Sequence, residues 1–335
     1  MCLPVRSFFA AALALLLAAP PTSAAEPVAL KWKLKAGQTW YYTTVQDTKM
    51  NVKQGVVAQE MLMKQTSDVR WAVESIDEEG NARATLTMEH IRSESGPADD
   101  TAVFDSADEK LPEGADESSI EAMRAGLNEP IYLVLDPTGK VLDVRLSDEF
   151  SKKIKESPQY GQLAGLFSRE NLKQMVSANT IELPVEPLAK GDTWERQSFL
   201  TDPLAGKLKL STTYRYDGLW EHAGQRLDKI STTASVSPAD EQKLSPLTVK
   251  DQKMNGVVWF DRGLGRIAEM SMSMKVASEL SFGAGASKLE RIVITSMHSK
   301  LSDKPPSQPQ KKPDSNAEKP AGKPEKAASK AAEDL

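Results

Sequence analysis

The sequence predicts a mainly β protein: a large antiparallel sheet or half-barrel from two related β units, with a few helices at about 118–177 packed on one face. Alternating apolar and polar residues, the pattern of half-buried strands, recur along the chain. A Gly-x-Thr-Trp motif opens a β-prone run at Gly37 and again at Gly191. Each run is later followed by a hairpin with a central Asp and Gly, which indicates an internal duplication.

The first 25 residues have the pattern of a secretory signal peptide. Arg6 precedes an apolar run from Phe8 to Ala19, and small residues lead to a cleavage site after Ala24 or Ala25. The apolar run is too short to cross about 30 Å of hydrocarbon, and no later segment is long enough. We therefore expect an exported protein, periplasmic or extracellular, without a transmembrane span after cleavage.

Cysteine and charge exclude several classes of protein. The only cysteine, Cys2, precedes the apolar run, so it does not form a lipoprotein lipidation site and is lost with the leader. The mature chain then has no disulfide and no cysteine-based metal site. The formal charge of −5 argues against nucleic acid as a partner, because nucleic acid requires a basic face.

The first β unit is predicted to span 26–182. Its predicted strands are Leu30–Leu34, a run that begins at Trp40, and three runs at about 53–66, 67–76 and 82–92. A hairpin follows at Ile131–Val144, where Asp136-Pro-Thr-Gly139 supplies the turn.

An acidic insertion interrupts this unit at 93–119. It contains nine acidic side chains and Lys110 as its only basic one. With so little apolar content it is predicted to be a mobile loop. A calcium site is the alternative interpretation, but the regular spacing of a calcium-binding loop is missing.

Three helices are predicted before the second unit, at about 118–127, 148–156 and 160–177. The second β unit, 183–301, has predicted strands at about 194–200, 206–219, 225–236 and 288–300, with a hairpin at Val257–Met270. Residues 302–335 are rich in Lys, Pro and Ala and are predicted to be a disordered tail.

No motif predicts catalysis, a cofactor or a metal. The three histidines (His90, His222 and His298) show none of the spacings of a zinc site. Serine-nucleophile elbows, phosphate loops and dinucleotide fingerprints are also missing from the sequence. Carboxylates could still be paired by folding, as in glycosidases. The sequence therefore favours a non-enzyme and names no catalytic residue.

Methionines form the most unusual local pattern. Strand alternation predicts that Met270, Met272 and Met274 share one face, and Met61 and Met63 repeat the pattern. Three interpretations remain open: an ordinary packed sheet face, an adaptable apolar pocket for lipids or peptides, and a Cu(I) site. The Cu(I) interpretation is less favoured because no His or Cys neighbours these methionines in the sequence. These five methionines are the candidate ligand-binding residues.

Aromatic residues near the strand starts have two interpretations, a sugar-stacking platform or anchors of the core, and the core is the commoner role. The set comprises Trp40, Tyr41, Tyr42, Trp194, Tyr214, Tyr216 and Trp220.

The chain resembles a family of uncharacterised exported bacterial β-rich proteins in three features. These are the leader, the segment 183–194 that ends in Gly-Asp-x-Trp, and the hairpins with a central Asp and Gly. More loosely, the predicted architecture looks like the periplasmic lipoprotein-carrier folds, whose curved sheet surrounds an apolar cavity. That second resemblance implies a fold and no site residues.

These observations favour non-catalytic binding of an apolar or amphipathic ligand, or of a protein partner, in the concavity of a sheet. A lipid, a lipopeptide or an envelope protein would suit such a site. The alternatives are a carbohydrate-active or carbohydrate-binding envelope protein and a purely structural surface protein.

Overall fold

The computed structural model describes residues 26–108, 120–121, 124–157, 164–165, 167–178, 180–202, 206–239, 247–281 and 288–306. The predicted leader, most of the predicted tail and residues 109–119 of the acidic insertion lie outside this part of the chain. The chain as far as Pro305 forms one compact unit.

Within the described residues, twelve strands form one antiparallel sheet, which confirms the predicted fold class. They are β1 (Thr39–Gln54), β2 (Val57–Ile76), β3 (Ala82–Pro97), β4 (Ala102–Asp105), β5 (Ile131–Leu135), β6 (Val141–Leu146), β7 (Thr193–Asp202), β8 (Gly206–His222), β9 (Gln225–Pro238), β10 (Leu247–Asp261), β11 (Arg266–Ser281) and β12 (Lys288–Ser302). Their spatial order is β6-β5-β3-β2-β1-β12-β11-β10-β9-β8-β7, and β4 pairs with β3 beside this path.

Helix α1 spans Asp148–Glu156, as predicted. The Ser147 hydroxyl caps it by accepting the Phe150 N–H at 3.0 Å. Acidic residues in its first turn and lysines in its last turn complement the helix dipole. The helix buries Phe150 and Ile154.

Helix α2 spans Arg169–Ala178 and contacts both β6 and β7, the two ends of the strand path. The Lys173 Nζ donates to the Leu142 carbonyl of β6 at 3.3 Å. On the other side, the Arg196 guanidinium of β7 donates to the Ser177 carbonyl at 3.0 Å.

This double contact requires the sheet to curl. Ten spacings of about 4.8 Å would separate the edge strands of a flat sheet by roughly 48 Å. A ten-residue helix is only about 15 Å long. The sheet therefore bends back on itself as a half-barrel, and α2 lies between its edges.

We call the face that carries Trp40 and Tyr42 the inner face. Along β12 every outward residue from Lys288 to His298 is exposed, whereas the inward residues between them are half-buried. The central part of the inner face is therefore open enough to leave a concavity.

Two buried clusters flank this concavity. One contains Trp40 and Trp71, together with Leu172 and Val176 of α2. The other surrounds Phe260 and includes residues that precede β1 and β7, notably Leu30, Trp32, Ile181, Leu183 and Leu188.

Equivalent aromatic pairs occur where the two predicted units begin. Trp40 of β1 stacks on Trp71 of β2, with ring centroids 5.8 Å apart and planes 12° apart. Trp194 of β7 stacks on Tyr214 of β8 at 5.2 Å and 13°.

The glycines of the two Gly-x-Thr-Trp motifs also make equivalent hydrogen bonds. Gly37 N–H donates to Val73 O at 2.8 Å, and Gly191 N–H donates to Tyr216 O at 2.7 Å. Both glycines have positive φ, +81° and +100°. Duplication remains a prediction, and these matched contacts are what it would produce.

The predicted strand Leu30–Leu34 is wrong, although its alternating burial is correct. Its backbone N–H groups donate to the turns of the β5–β6 and β10–β11 hairpins and not to a neighbouring strand. Trp32 N–H donates to Pro137 O at 3.3 Å, and Lys33 N–H donates to Gly265 O at 3.0 Å. Only glycine permits so close an approach, since a Cβ on Gly265 would lie 2.3 Å from the Lys33 nitrogen.

The predicted strands at 53–66 and 67–76 are one strand, β2, and the chain turns at Gly55 instead. Gly55 has a φ of +60°, a conformation that glycine adopts readily. No equivalent break occurs near residue 66, where β2 continues its pairing with β1.

The predicted mobile loop at 93–119 is partly wrong. β3 continues to Pro97, and β4 pairs with it across Ser93 and Phe104. Phe104 is buried beside Ile91 and Ile120. Phe104 is the only aromatic residue of 93–119, and its burial stabilises a strand that the acidic composition of this segment did not predict.

Candidate functional site

A cavity of about 250 Å³ lies between the inner face and α2. The strands that contribute to it come from both ends of the chain, because β1 pairs with β12. Its lining residues are Tyr42, Thr44, Gln46, Gln65, Ser67, Val69, Trp71, Leu86, Met88, Met175, Val176, Ile267, Met270, Met297 and Ser299.

The structure brings the five predicted methionines onto one face. Met270 is buried and lines the cavity. Met272 is the next residue of β11 on this face and packs against the buried cluster around Phe260. Met274, Met61 and Met63 continue the inner face away from α2, and all three are half-buried.

Sequence reasoning missed further methionines of the same surface. Met297 faces Met272 across β11 and β12, and Met88 faces Val69 across β2 and β3. Met175 approaches from α2. Periodicity places residues on a face within one strand, but only the register of remote strands shows that these faces join.

Polar side chains occupy the middle of this surface. The polar island comprises Gln46, Gln65, Thr44, Ser67 and Ser299. Gln46 faces Gln65, and Thr44 lies between Ser67 and Ser299 in the strand register. The Thr44 hydroxyl donates to the Ser299 oxygen at 2.9 Å. No member of the island carries a charge.

Tyr42 adds a neutral hydroxyl at one end of the cavity. It donates to the Ile267 carbonyl at 2.6 Å. Burial raises the pKa of Tyr42 above its usual value, although the Arg266 charge opposes this. Tyr42 therefore stays protonated and serves as a donor.

Charged side chains are scarce on the central inner face. From Thr44 of β1 towards Gln54, the inner positions of β1 and of its neighbours β2, β12 and β11 carry one charged side chain, that of Arg291. Arg291 lies six residues along β12 from Met297, which is about 20 Å.

The outer face holds a separate polar cluster around His90. The His90 Nδ1 lies 3.2 Å from Asp68 and the Nε2 lies 2.9 Å from Asp105. Both carboxylates are buried, and the Thr43 hydroxyl donates to Asp68 at 2.6 Å. The cluster ties β2, β3 and β4 together. In the described part of the chain, no group of three or more His, Cys, Asp or Glu residues is arranged to hold a metal.

A separate ion pair joins the buried Asp228, where β9 lies between β8 and β10, to the half-buried Arg262. Asp228 is fully buried and accepts the Tyr216 hydroxyl at 2.7 Å and the Arg262 Nε at 2.9 Å. The hydrogen bond to Asp228 raises the pKa of Arg262. This group is satisfied internally, which suits a structural role.

The remaining predicted candidates are dispersed. Trp40, Tyr214 and Tyr216 are buried, whereas Trp220 is 46 % exposed. His298 faces outward and its Nδ1 lies 3.0 Å from the Ser271 hydroxyl.

Trp194 is half-buried and donates its indole N–H to the Glu182 carbonyl at 2.9 Å. His222 stacks on Trp259 with ring centroids 4.0 Å apart.

The described residues contain no helix with the length and hydropathy needed to cross a membrane. No curated protein matches this chain in sequence.

Among solved structures, lipovitellin, in a study of its lipid–protein interactions, is 12% identical with a TM-score of 0.44. The match covers 83% of this chain and 26% of lipovitellin, so this chain spans about a quarter of the length of lipovitellin. The hypothetical lipoprotein YmcC from Escherichia coli K12 is 12% identical with a TM-score of 0.20, over 78% of this chain and 89% of that one.

A putative outer membrane lipoprotein-sorting protein domain from Vibrio parahaemolyticus is also 12% identical, with a TM-score of 0.14 and coverage of 78% and 84%. All three TM-scores are below 0.5. One family model, that of the family of unknown function DUF6263, matches residues 79–258, more than half of the 335-residue chain. The protein therefore belongs to the DUF6263 family.

Proposed function

We propose that the protein is an exported envelope protein that binds an apolar or amphipathic ligand, without catalysis, in the concavity of its curled sheet. The observation that carries this proposal is the cavity of about 250 Å³ between α2 and the methionine-lined inner face. Cavities with mostly apolar walls and a few polar groups are the usual form of a small-molecule site. A lipid or a lipopeptide chain matches this chemistry.

Methionine suits such a wall for a physical reason. Its unbranched thioether side chain adapts to irregular shapes, and a methionine-rich surface accepts varied ligands. The cavity is slightly below the range of roughly 300–1,000 Å³ typical of drug-sized ligands. It therefore suits one chain segment better than a bulky ring system, and the half-buried residues beyond it extend the apolar surface.

The test is a titration of the purified protein with N-phenylnaphthylamine, an uncharged fluorophore that brightens in apolar surroundings. We expect saturable binding, and we expect Met297→Glu to weaken it at least about tenfold because a carboxylate would have to be desolvated in the wall. Ser296→Glu is the matched control, since the neighbouring residue faces outward and is exposed.

Circular dichroism of both variants checks that the fold is retained. Equal loss of binding in both variants, or no saturable binding by the unmodified protein, would contradict the proposal. Native mass spectrometry of protein purified from its own envelope provides an independent measurement, in which a persistent added mass is expected.

A further inference from the structure

The polar island gives the concavity a chemical preference that apolar walls alone would lack. Its five side chains, Gln46, Gln65, Thr44, Ser67 and Ser299, are all neutral and all line the cavity. A surface selected only for hydrocarbon would not place two amides and three hydroxyls at its centre, because their desolvation by hydrocarbon costs free energy.

Two members of the island are available to a ligand. Thr44 is already bonded to Ser299 at 2.9 Å, and the Gln46 amide donates to Thr48 at 3.3 Å. By contrast, within the described residues the side chains of Gln65 and Ser67 have no hydrogen-bond partner. The amide of Gln65 offers donors and an acceptor, and the hydroxyl of Ser67 offers both roles.

The nearby cations are poorly placed to bind an anion at the island. Arg266, near Tyr42, already donates to Asp303 at 2.7 Å and lies 5.3 Å over the Trp40 ring. Arg291 is about 20 Å along β12 from Met297. A carboxylate beside Gln65 would therefore be buried without a direct charge partner, at a large desolvation cost.

We infer that the ligand is an acyl chain joined to the rest of its molecule by an uncharged ester or amide, with that linkage hydrogen-bonded by Gln65 and Ser67. The inference rests on the proposed function, because it assigns a ligand class to the same cavity. The chain lies against the methionines, and any charged headgroup stays outside the cavity.

The experiment compares three probes of equal chain length that displace N-phenylnaphthylamine: tetradecane, methyl myristate and ionised myristate. The ester should bind about fivefold or more tightly than the hydrocarbon, which is the effect of about one net hydrogen bond. It should also bind at least about tenfold more tightly than the carboxylate.

Gln65→Leu should remove the advantage of the ester over the hydrocarbon, measured as the ratio of the two dissociation constants. Thr66→Val, the next residue along β2 and on the opposite face, should retain it. Ser67→Ala is a second variant that serves if Gln65→Leu fails to fold, and it should reduce the advantage in the same direction.

The outcomes separate the two proposals. Equal binding of all three probes, or tightest binding of the carboxylate, would overturn the ester or amide assignment and leave an apolar pocket in place. Failure of every probe, together with failure of the fluorophore itself, would remove the proposed function and this assignment with it.

Discussion

The outer-face cluster shows how one histidine organises an acidic segment. His90 lies between Asp68 and Asp105, and Arg92 Nη1 approaches the far oxygen of Asp105 at 3.4 Å. The Ala107 N–H donates to the same carboxylate at 2.9 Å. These bonds attach the short strand β4 to the sheet despite its acidic surroundings.

Asp105 predicts a pH-dependent contribution to stability. Burial alone would raise its pKa, but hydrogen bonds from Ala107, His90 and Arg92 outweigh burial and hold the pKa below its usual value. A carboxyl whose pKa is lower in the folded state stabilises the fold above the unfolded value of about 3.9, and this stabilisation is lost as the pH falls through the folded pKa.

We therefore expect Asp105→Asn to lower the free energy of unfolding at about pH 5 and to lower it less at about pH 3. Urea unfolding at the two pH values measures the difference. Asp251→Asn is the control, because its 65%-exposed carboxylate pairs with Lys275 and such a surface pair contributes only about 0–1 kcal/mol. An Asp105→Asn effect that does not change with pH would contradict the expectation.

Residue chemistry was only partly predictable from the sequence. The shared face of Met270, Met272 and Met274 follows from strand alternation alone. The contact of Met272 with Met297 does not, because it depends on the register between β11 and β12. The polar island was not predicted either, since its members come from β1, β2 and β12, and no local pattern links them.

Helix α2 covers the cavity and contacts both edges of the sheet. Its Leu172 and Val176 are 2% and 0% exposed and pack with Trp40 and Trp71. Its Met175 is 42% exposed and lines the cavity from above. Leu172 therefore anchors the helix, whereas Met175 and Val176 also line the cavity.

Leu172→Ala should lower the free energy of unfolding by about 2–5 kcal/mol, because it removes buried methyl groups and leaves a space in the core. Met175→Ala is the matched comparison on the same helix, and we expect it to cost about 1 kcal/mol or less because much of its side chain is already exposed. Urea unfolding measures both changes. Equal costs would show that α2 is not anchored through Leu172.

Element type was easier to predict than element partners. The bounds of α1 match the predicted helix at 148–156, and the structure adds the Ser147 cap and the burial of Phe150 and Ile154. The strand assigned to Leu30–Leu34 failed because alternating burial does not reveal where the backbone N–H groups bond. Here they bond to two hairpin turns more than a hundred residues away in the chain.

In the part of the chain that the structure describes, the first and last strands meet at the centre of the sheet. β1 pairs with β12 over a register that runs from Tyr41 with Ser302 to Gln54 with Leu289. Each predicted unit contributes one flank of the concavity. Duplication of a five-strand meander, extended by β12, would account for this topology and for the two aromatic pairs.

Export is the prediction that belongs to the whole chain. Expressed from Met1 in a bacterium that has an envelope, the protein should be found outside the cytoplasm, with a mature N-terminus at Ala25 or Glu26. Intact-mass measurement of the envelope fraction checks this. A mass that retains residues 1–24, or a mass increase from lipid attached at Cys2, would contradict it.

The contact of α2 with both β6 and β7 has a further consequence, for the association of the protein with other molecules. An uncovered edge strand presents unpaired N–H and C=O groups that can recruit a strand from another molecule. Because α2 packs against both terminal strands, we expect it to hinder such recruitment where it contacts them. Ten residues of helix thus help to protect a twelve-stranded sheet from self-association and fibril growth.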